Sequence, residues 1–161
     1  MADNNTIEGK LKVLKVINLA FIFATAAYIF VCYVVSGTQD LNAFNSGLSG
    51  ETAIILSALG LFFFYIVSRY LLRAITGTVA KQNDIPLAKK IDKYQQAHIK
   101  SVAALEAYAL FCVVLFFLSK DQFYIYGIFA VLFLLIILRP KPETIAMHLE
   151  LDLEEKKELG V

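Results

Sequence analysis

The chain has 161 residues, room for one domain and too few for two ordinary ones. Hydrophobic residues make up 58% of it and mean hydropathy is +0.65, whereas soluble domains carry roughly 45–50% apolar residues, which excludes a soluble globular protein. The net charge of +1 excludes nothing, because here the placement of charge carries the information and the sum does not.

The first element follows Lys10, Lys12 and Lys15. It is uncharged from 16 to 35. Ala24-Thr25-Ala26 has the small-x-small look of a signal cleavage site, but the apolar run continues to Val35, longer than the roughly 7–15 residues of a signal core. It reads as an uncleaved helix over about 13–36. A second apolar stretch runs from 52 to about 72, contains Arg69, and is expected to continue as a helix to 80 despite Gly77. The next helix is expected over 86–119. Asp84 serves as its cap and Pro86 sits in its first turn. Leu87, Ile91, Tyr94, His98, Val102 and Leu105 recur at spacings of three and four, the mark of one helical face. About 12 of its residues precede the apolar part and project about 18 Å from a membrane. With a turn at 81–84, helices two and three form a hairpin with a basic tip. A fourth helix is expected over 122–138, closed by Arg139-Pro140.

Four such runs suit a bilayer core of about 30 Å, in which helices satisfy their own backbone. The fold class is therefore all-α, with residues 1–142 as a four-helix transmembrane domain. Lys120 is the single exception among the 15 basic residues to a distribution on one side of these spans. The positive-inside rule puts that side, with both termini, in the cytoplasm. Tyr33, Phe123, Tyr124 and Tyr126 fall near the outer edges, as interfacial aromatics do. The expected location is a multi-pass integral membrane protein, of the plasma membrane or, in a bacterium, the inner membrane. Residues 143–161 form an acidic cytoplasmic tail. Residues 148–153 alternate strictly, which suits a strand added to a partner's sheet edge; the alternatives are a frayed short helix or a disordered tail.

The chemistry is sparse. Cys32 and Cys112 lie in apolar runs and read as small hydrophobes. No metal-ligand spacing, phosphate loop or nucleophile–base pattern occurs, so no metal, no cofactor and no catalytic residue is expected, and the chain leans away from being an enzyme. The basic residues sit against a membrane, which argues against nucleic acid. Glu106 stands out. It lies eight residues past His98, about 12 Å along the axis, toward the middle of the membrane. A bare carboxylate there costs roughly 2.5–3.5 kcal/mol even on insertion scales, so a protonated, paired or ion-bound group is expected. Tyr108, Tyr28, Thr25 and Ser57 are its candidate neighbours. At the inner interface, Arg69, Arg73 and His98 are candidates to hold a lipid phosphate as arginine forks do, while Lys89, Lys90 and Lys93 on the hairpin tip offer contact to lipid or a partner.

Two patterns remain. Ala27-Tyr28 with Cys32 matches Ala107-Tyr108 with Cys112 in register, which points to a possible tandem hairpin repeat in which Glu106 stands opposite Ala26. In addition, Ala103-Ala104-Leu105-Glu106-Ala107-Tyr108-Ala109-Leu110 resembles the ion-binding helix of subunit c, the membrane-ring proteolipid of rotary ATPases. The resemblance covers about a dozen residues around Glu106. It implies a proton or sodium ligand at Glu106 and a ring or homo-oligomer as working form. The family's inner helix is rich in glycine, whereas the second helix here has Gly60 flanked by Leu61, Phe62 and Phe63.

Three readings follow. The first is a structural or accessory subunit of a membrane complex, meeting other membrane subunits or a cytoplasmic partner at the 74–98 hairpin or the 143–161 tail. The second is an ion-binding or ion-translocating subunit working through Glu106. The third is a lipid-head-group binder at the inner interface.

Overall fold

A computed structural model describes residues 7–38, 50–80, 85–119 and 121–161. The expected turn at 81–84 with its Asp84 cap, Lys120, and most of the 36–51 connection lie outside the described residues.

Among the described residues six helices follow one another: α1 (Ile7–Thr38), α2 (Gly50–Ala80), α3 (Leu87–Ser119), α4 (Phe123–Ile137), α5 (Pro142–His148) and α6 (Leu153–Leu159). The described residues contain no strand. Helices α1, α2 and α3 are each long and apolar enough to cross a membrane. Helix α4 is apolar throughout but has 15 residues, and the chain then bends by 87° into α5. The protein is an all-α membrane protein. At 1.5 Å per residue the 33 residues of α3 reach about 50 Å, well beyond a bilayer core of about 30 Å.

Two apolar cores result. The membrane core gathers Leu105, Tyr108, Cys112, Phe116, Ile128 and Val131 with flanking residues of all four long helices. The second core lies at the basic end, where Leu14, Leu72, Ile91 and Tyr94 meet Ile145, Leu149, Leu151 and Leu159. It explains why α1 begins at Ile7, earlier than expected: Ile7 and Leu11 pack on this cluster, so the first helical turns gain a buried face. Ion pairs brace it. Lys10 Nζ meets Asp92 at 2.7 Å and donates to the Ala88 carbonyl at 3.0 Å, while Lys90 reaches Glu155 at 2.6 Å.

Of the readings left open for the tail, short helix and not an added strand is what forms around 148–153. Leu149 and Leu151 are buried, but Leu153 is exposed and opens α6. The reason is local. Asp152 accepts from the Glu155 backbone N–H, the Glu155 carboxylate accepts from the Asp152 N–H, and this capping box starts a helix where the alternating pattern would continue a strand. Gly160, at φ 82°, closes it.

Polar side chains set the helix arrangement. From the basic end outward, α3 turns successive polar groups to alternate neighbours. His98 Nε2 lies 3.2 Å from Asn18 Oδ1 on α1, and Ser101 pairs with Ser68 on α2 at 2.7 Å. Glu106 pairs with Thr25 on α1 at 2.6 Å, and Tyr108 donates to the Ser57 carbonyl on α2 at 2.7 Å. Helices α1 and α2 thus flank α3 on separate sides and scarcely touch. Because α3 and α4 do pack together, the two halves do not form equivalent hairpins. Asn18–His98 and Thr25–Glu106 sit at sequence offsets of 80 and 81, so α1 and α3 run side by side in the same direction at matching heights.

Gly127 lets α4 approach. A Cβ there would stand 2.9 Å from both Cys112 Sγ and Tyr108 Oη, and 3.0 Å from Ser57 Oγ. Gly77 faces open space. Gly127→Ala is expected to destabilise the protein by about 1–3 kcal/mol through overpacking. Gly77→Ala should stabilise it by about 0.5–1 kcal/mol through helix propensity. Thermal midpoints in detergent check both, and a shift of the same sign for the two would contradict this packing.

Candidate functional site

Two groups of polar residues stand apart from the packing just described. The first is inside the membrane core. Glu106 is 6% exposed and points at α1, where Thr25 is fully buried. The Thr25 hydroxyl lies 2.6 Å from Glu106 Oε1 and 3.0 Å from the Phe21 carbonyl oxygen. It has one proton, and the carbonyl can only accept. With an ionised carboxylate, Thr25 donates to Glu106 and gives up Phe21. With a protonated carboxyl, Glu106 donates to Thr25 and Thr25 donates to Phe21, so both contacts are full hydrogen bonds. Glu106 Oε2 is buried without a partner, which costs less on a neutral carboxyl than on an anion.

Of the four expected neighbours, Thr25 is the partner. Tyr28 lies within electrostatic reach of Glu106. Tyr108 and Ser57 instead bond each other, because Tyr108 sits on the α2-facing side of α3 and Ser57 faces it from α2. That two-residue offset from Glu106 to Tyr108 turns the side chain about 200° around a helix of 3.6 residues per turn, away from α1.

The second group lies at the basic end, between the two cores. Arg69 from α2 and His98 from α3 line one pocket of about 120 Å³ with His148 and Thr144 from α5. Arg139 and Lys141, at the corner between α4 and α5, complete it. The ring of Tyr94 stacks on His98 at 6.2 Å and on His148 at 6.0 Å, which holds both imidazoles at the wall. Among the described residues no carboxylate lines this pocket. Arg69, Arg139 and Lys141 make no ion pair among the described residues. Arg73, one turn farther along α2, is exposed, yet its charge reaches His148. Lys89 and Lys93 are exposed and do not line the pocket, and Lys90 is buried against Glu155, so the three lysines do not join it.

Sequence reasoning paired Arg69 with His98 and missed His148, Thr144, Arg139 and Lys141 as their companions. The available signal was Arg139-Pro140-Lys141-Pro142: two bases alternating with two prolines mark a rigid corner directly after an apolar run. No protein-family model, curated protein or solved structure matches this chain.

The electrostatics of His148 give a test. It lies on α5, beyond the apolar spans. Burial first, and then the Arg69 and Arg73 charges, hold its pKa below the usual 6.5, and Nδ1 is buried without a partner. The imidazole is therefore neutral at pH 7. As pH falls below 6.5 the unfolded chain takes up a proton that the folded chain refuses, so stability falls through that window and levels off below the folded pKa. The thermal midpoint in phosphate-free buffer and zwitterionic detergent should drop between about pH 7 and about pH 5.5, and His148→Gln should flatten the drop. Identical profiles for the two proteins would remove His148 as the source.

Proposed function

We propose that this chain is a multi-pass membrane protein, oriented with its basic end in the cytoplasm, that binds an anionic lipid head group there. One observation carries the reading. Arg69, His98, His148, Arg139 and Lys141 come from three helices and a corner to surround one pocket that, among the described residues, no carboxylate lines. Arg69 is half-buried and Arg139 and Lys141 are exposed beside it, so like charges gather at one opening without counter-charges, and a phosphate offsets their repulsion through charge-assisted hydrogen bonds. The pocket has the space of about four water molecules, enough for a tetrahedral oxyanion. Its level suits the purpose, since Val102 and Leu105 of the membrane core floor it and Tyr94 of the outer core roofs it. The one-sided charge distribution supports the orientation, because anionic lipids enrich the cytoplasmic leaflet. The tail offers a partner the outer faces of α5 and α6, having folded onto its own chain, and so lends less support to a role as an accessory subunit.

The test is a titration of the detergent-solubilised protein with short-chain phosphatidylglycerol and, in parallel, phosphatidylcholine, read as thermal midpoint. The anionic lipid should stabilise and the zwitterionic one should not. Arg139→Gln, at the residue that lines both the small pocket and the corner beside it, should weaken the response about tenfold or more. Equal stabilisation by both lipids, or an unaltered response in Arg139→Gln, would rule the reading out.

A second reading is favoured by Glu106. A buried carboxyl whose hydrogen bonds close best when it carries a proton, and whose second oxygen has no partner, suits a proton- or cation-binding group. The resemblance of 103–110 to the subunit c ion-binding helix supports it. A hydrophobic carbodiimide should then modify Glu106 more as pH falls, with sodium protecting if sodium is the ion, as mapped by mass spectrometry. No labelling at any pH would leave Glu106 as an interhelical bond to Thr25.

A further inference from the structure

A second, larger pocket adjoins the first and says what kind of lipid fits. It has a volume of about 560 Å³ and lies on the other side of the 139–142 corner, against α1. Lys15, Arg139 and Lys141 provide its basic wall, and Leu19 and Ile22 its apolar one. Leu19 is exposed on the surface of α1. The two pockets share Arg139 and Lys141. They also share a partition. Asn18 lines the larger pocket, and its hydrogen-bond partner His98 lines the smaller one.

Charge then decides the ligand. Among the described residues, Lys15, Arg69, Arg139 and Lys141 line the two adjoining pockets and form no ion pair, and Glu143 is the one acid lining either pocket. A lipid with a single phosphodiester brings one negative charge and leaves most of these cations bare. A phosphomonoester adds about −1.5 to −2, so a lipid with both groups comes close to balancing them.

We propose that the ligand is a membrane lipid bearing two phosphates, with its phosphodiester held by Lys15, Arg139 and Lys141 in the larger pocket and a terminal phosphomonoester held by Arg69 and Thr144 in the smaller one. This rests on the reading of the basic end as a head-group site. The acyl chains leave along Leu19 and Ile22 into the bilayer. The head group passes the Asn18–His98 partition, which its polar linker lines with hydrogen-bonding groups.

The experiment compares soluble dioctanoyl lipids on the full chain in detergent. The probes are phosphatidylinositol 4-phosphate (diester plus monoester), phosphatidylinositol (diester alone) and phosphatidic acid (monoester alone). The lipid with two phosphates should bind at least about tenfold tighter than either of the others. Arg69→Gln should erase that advantage while phosphatidylinositol still binds. Lys15→Gln should weaken phosphatidylinositol and its phosphate alike. Should Arg69→Gln lose all binding, Thr144→Val, which removes one hydroxyl, takes its place: loss of the preference supports the proposal and an unchanged preference overturns it. Equal affinity for phosphatidylinositol and its 4-phosphate overturns the two-phosphate assignment and leaves the head-group site standing. Absence of saturable binding by all three lipids overturns the site itself.

Discussion

Hydrocarbon offers a polar side chain no water, so every such group on a membrane helix must meet a partner on another helix. In this protein that demand converges on α3. His98, Ser101, Glu106 and Tyr108 each find a bond across a helix interface, alternately to α1 and α2. Transmembrane hydrogen bonds of this kind are individually modest, on the order of 0.6 kcal/mol with larger cases near 1.7. Their value is positional. Four of them at different heights fix the rotation and the axial setting of α1 and α2 against α3, and apolar contact alone would leave both open.

That frame produces the basic site as a by-product. Fixing α2 beside α3 brings Arg69 to the level of His98. The short α4 then ends at the same level, and the prolines at 140 and 142 send the chain sideways instead of onward. The tail folds back over the opening because Leu149, Leu151 and Leu159 need cover, and it brings His148 with it. The polar layer lies where the membrane core stops and the outer core begins, and neither core is wide enough to fill it with apolar side chains.

Much of this could be read from the residues alone, for identifiable reasons. Apolar runs near 20 residues have one physical solution in a membrane, so the spanning helices were legible, and α1 differs mainly at its start, where Ile7 and Leu11 pack on a core built from distant residues. Glu106 was legible because a lone acid in an apolar run has no cheap alternative to a partner. Which partner was less so. Thr25 and Ser57 are equally good hydrogen-bonding groups in sequence, and only the rotation of α3 assigns one to Glu106 and the other to Tyr108. Arg69 and His98 could be matched by height along antiparallel helices. His148 could not, since its place depends on an 87° bend and on two seven-residue helices whose leucines alternate as a strand's do. Lys90 looked like a surface charge because nothing local reveals that Glu155, 65 residues on, folds back to it.

The shortness of α4 bears on the lipid around the protein as well as on the chain. Fifteen residues span about 22 Å, some 8 Å less than an average hydrocarbon layer. Its neighbours α1 and α3 exceed that thickness, so they impose no such deficit on their own side. The bilayer beside α4 must then dimple inward, and hydrophobic mismatch of this size costs a fraction of a kcal/mol for each ångström. Such a dimple lowers the phosphate plane toward Arg139, at the mouth of both pockets. A 15-residue span thereby suits a thin membrane better than a thick one, and on the proposed reading the thinned leaflet brings head groups closer to that corner.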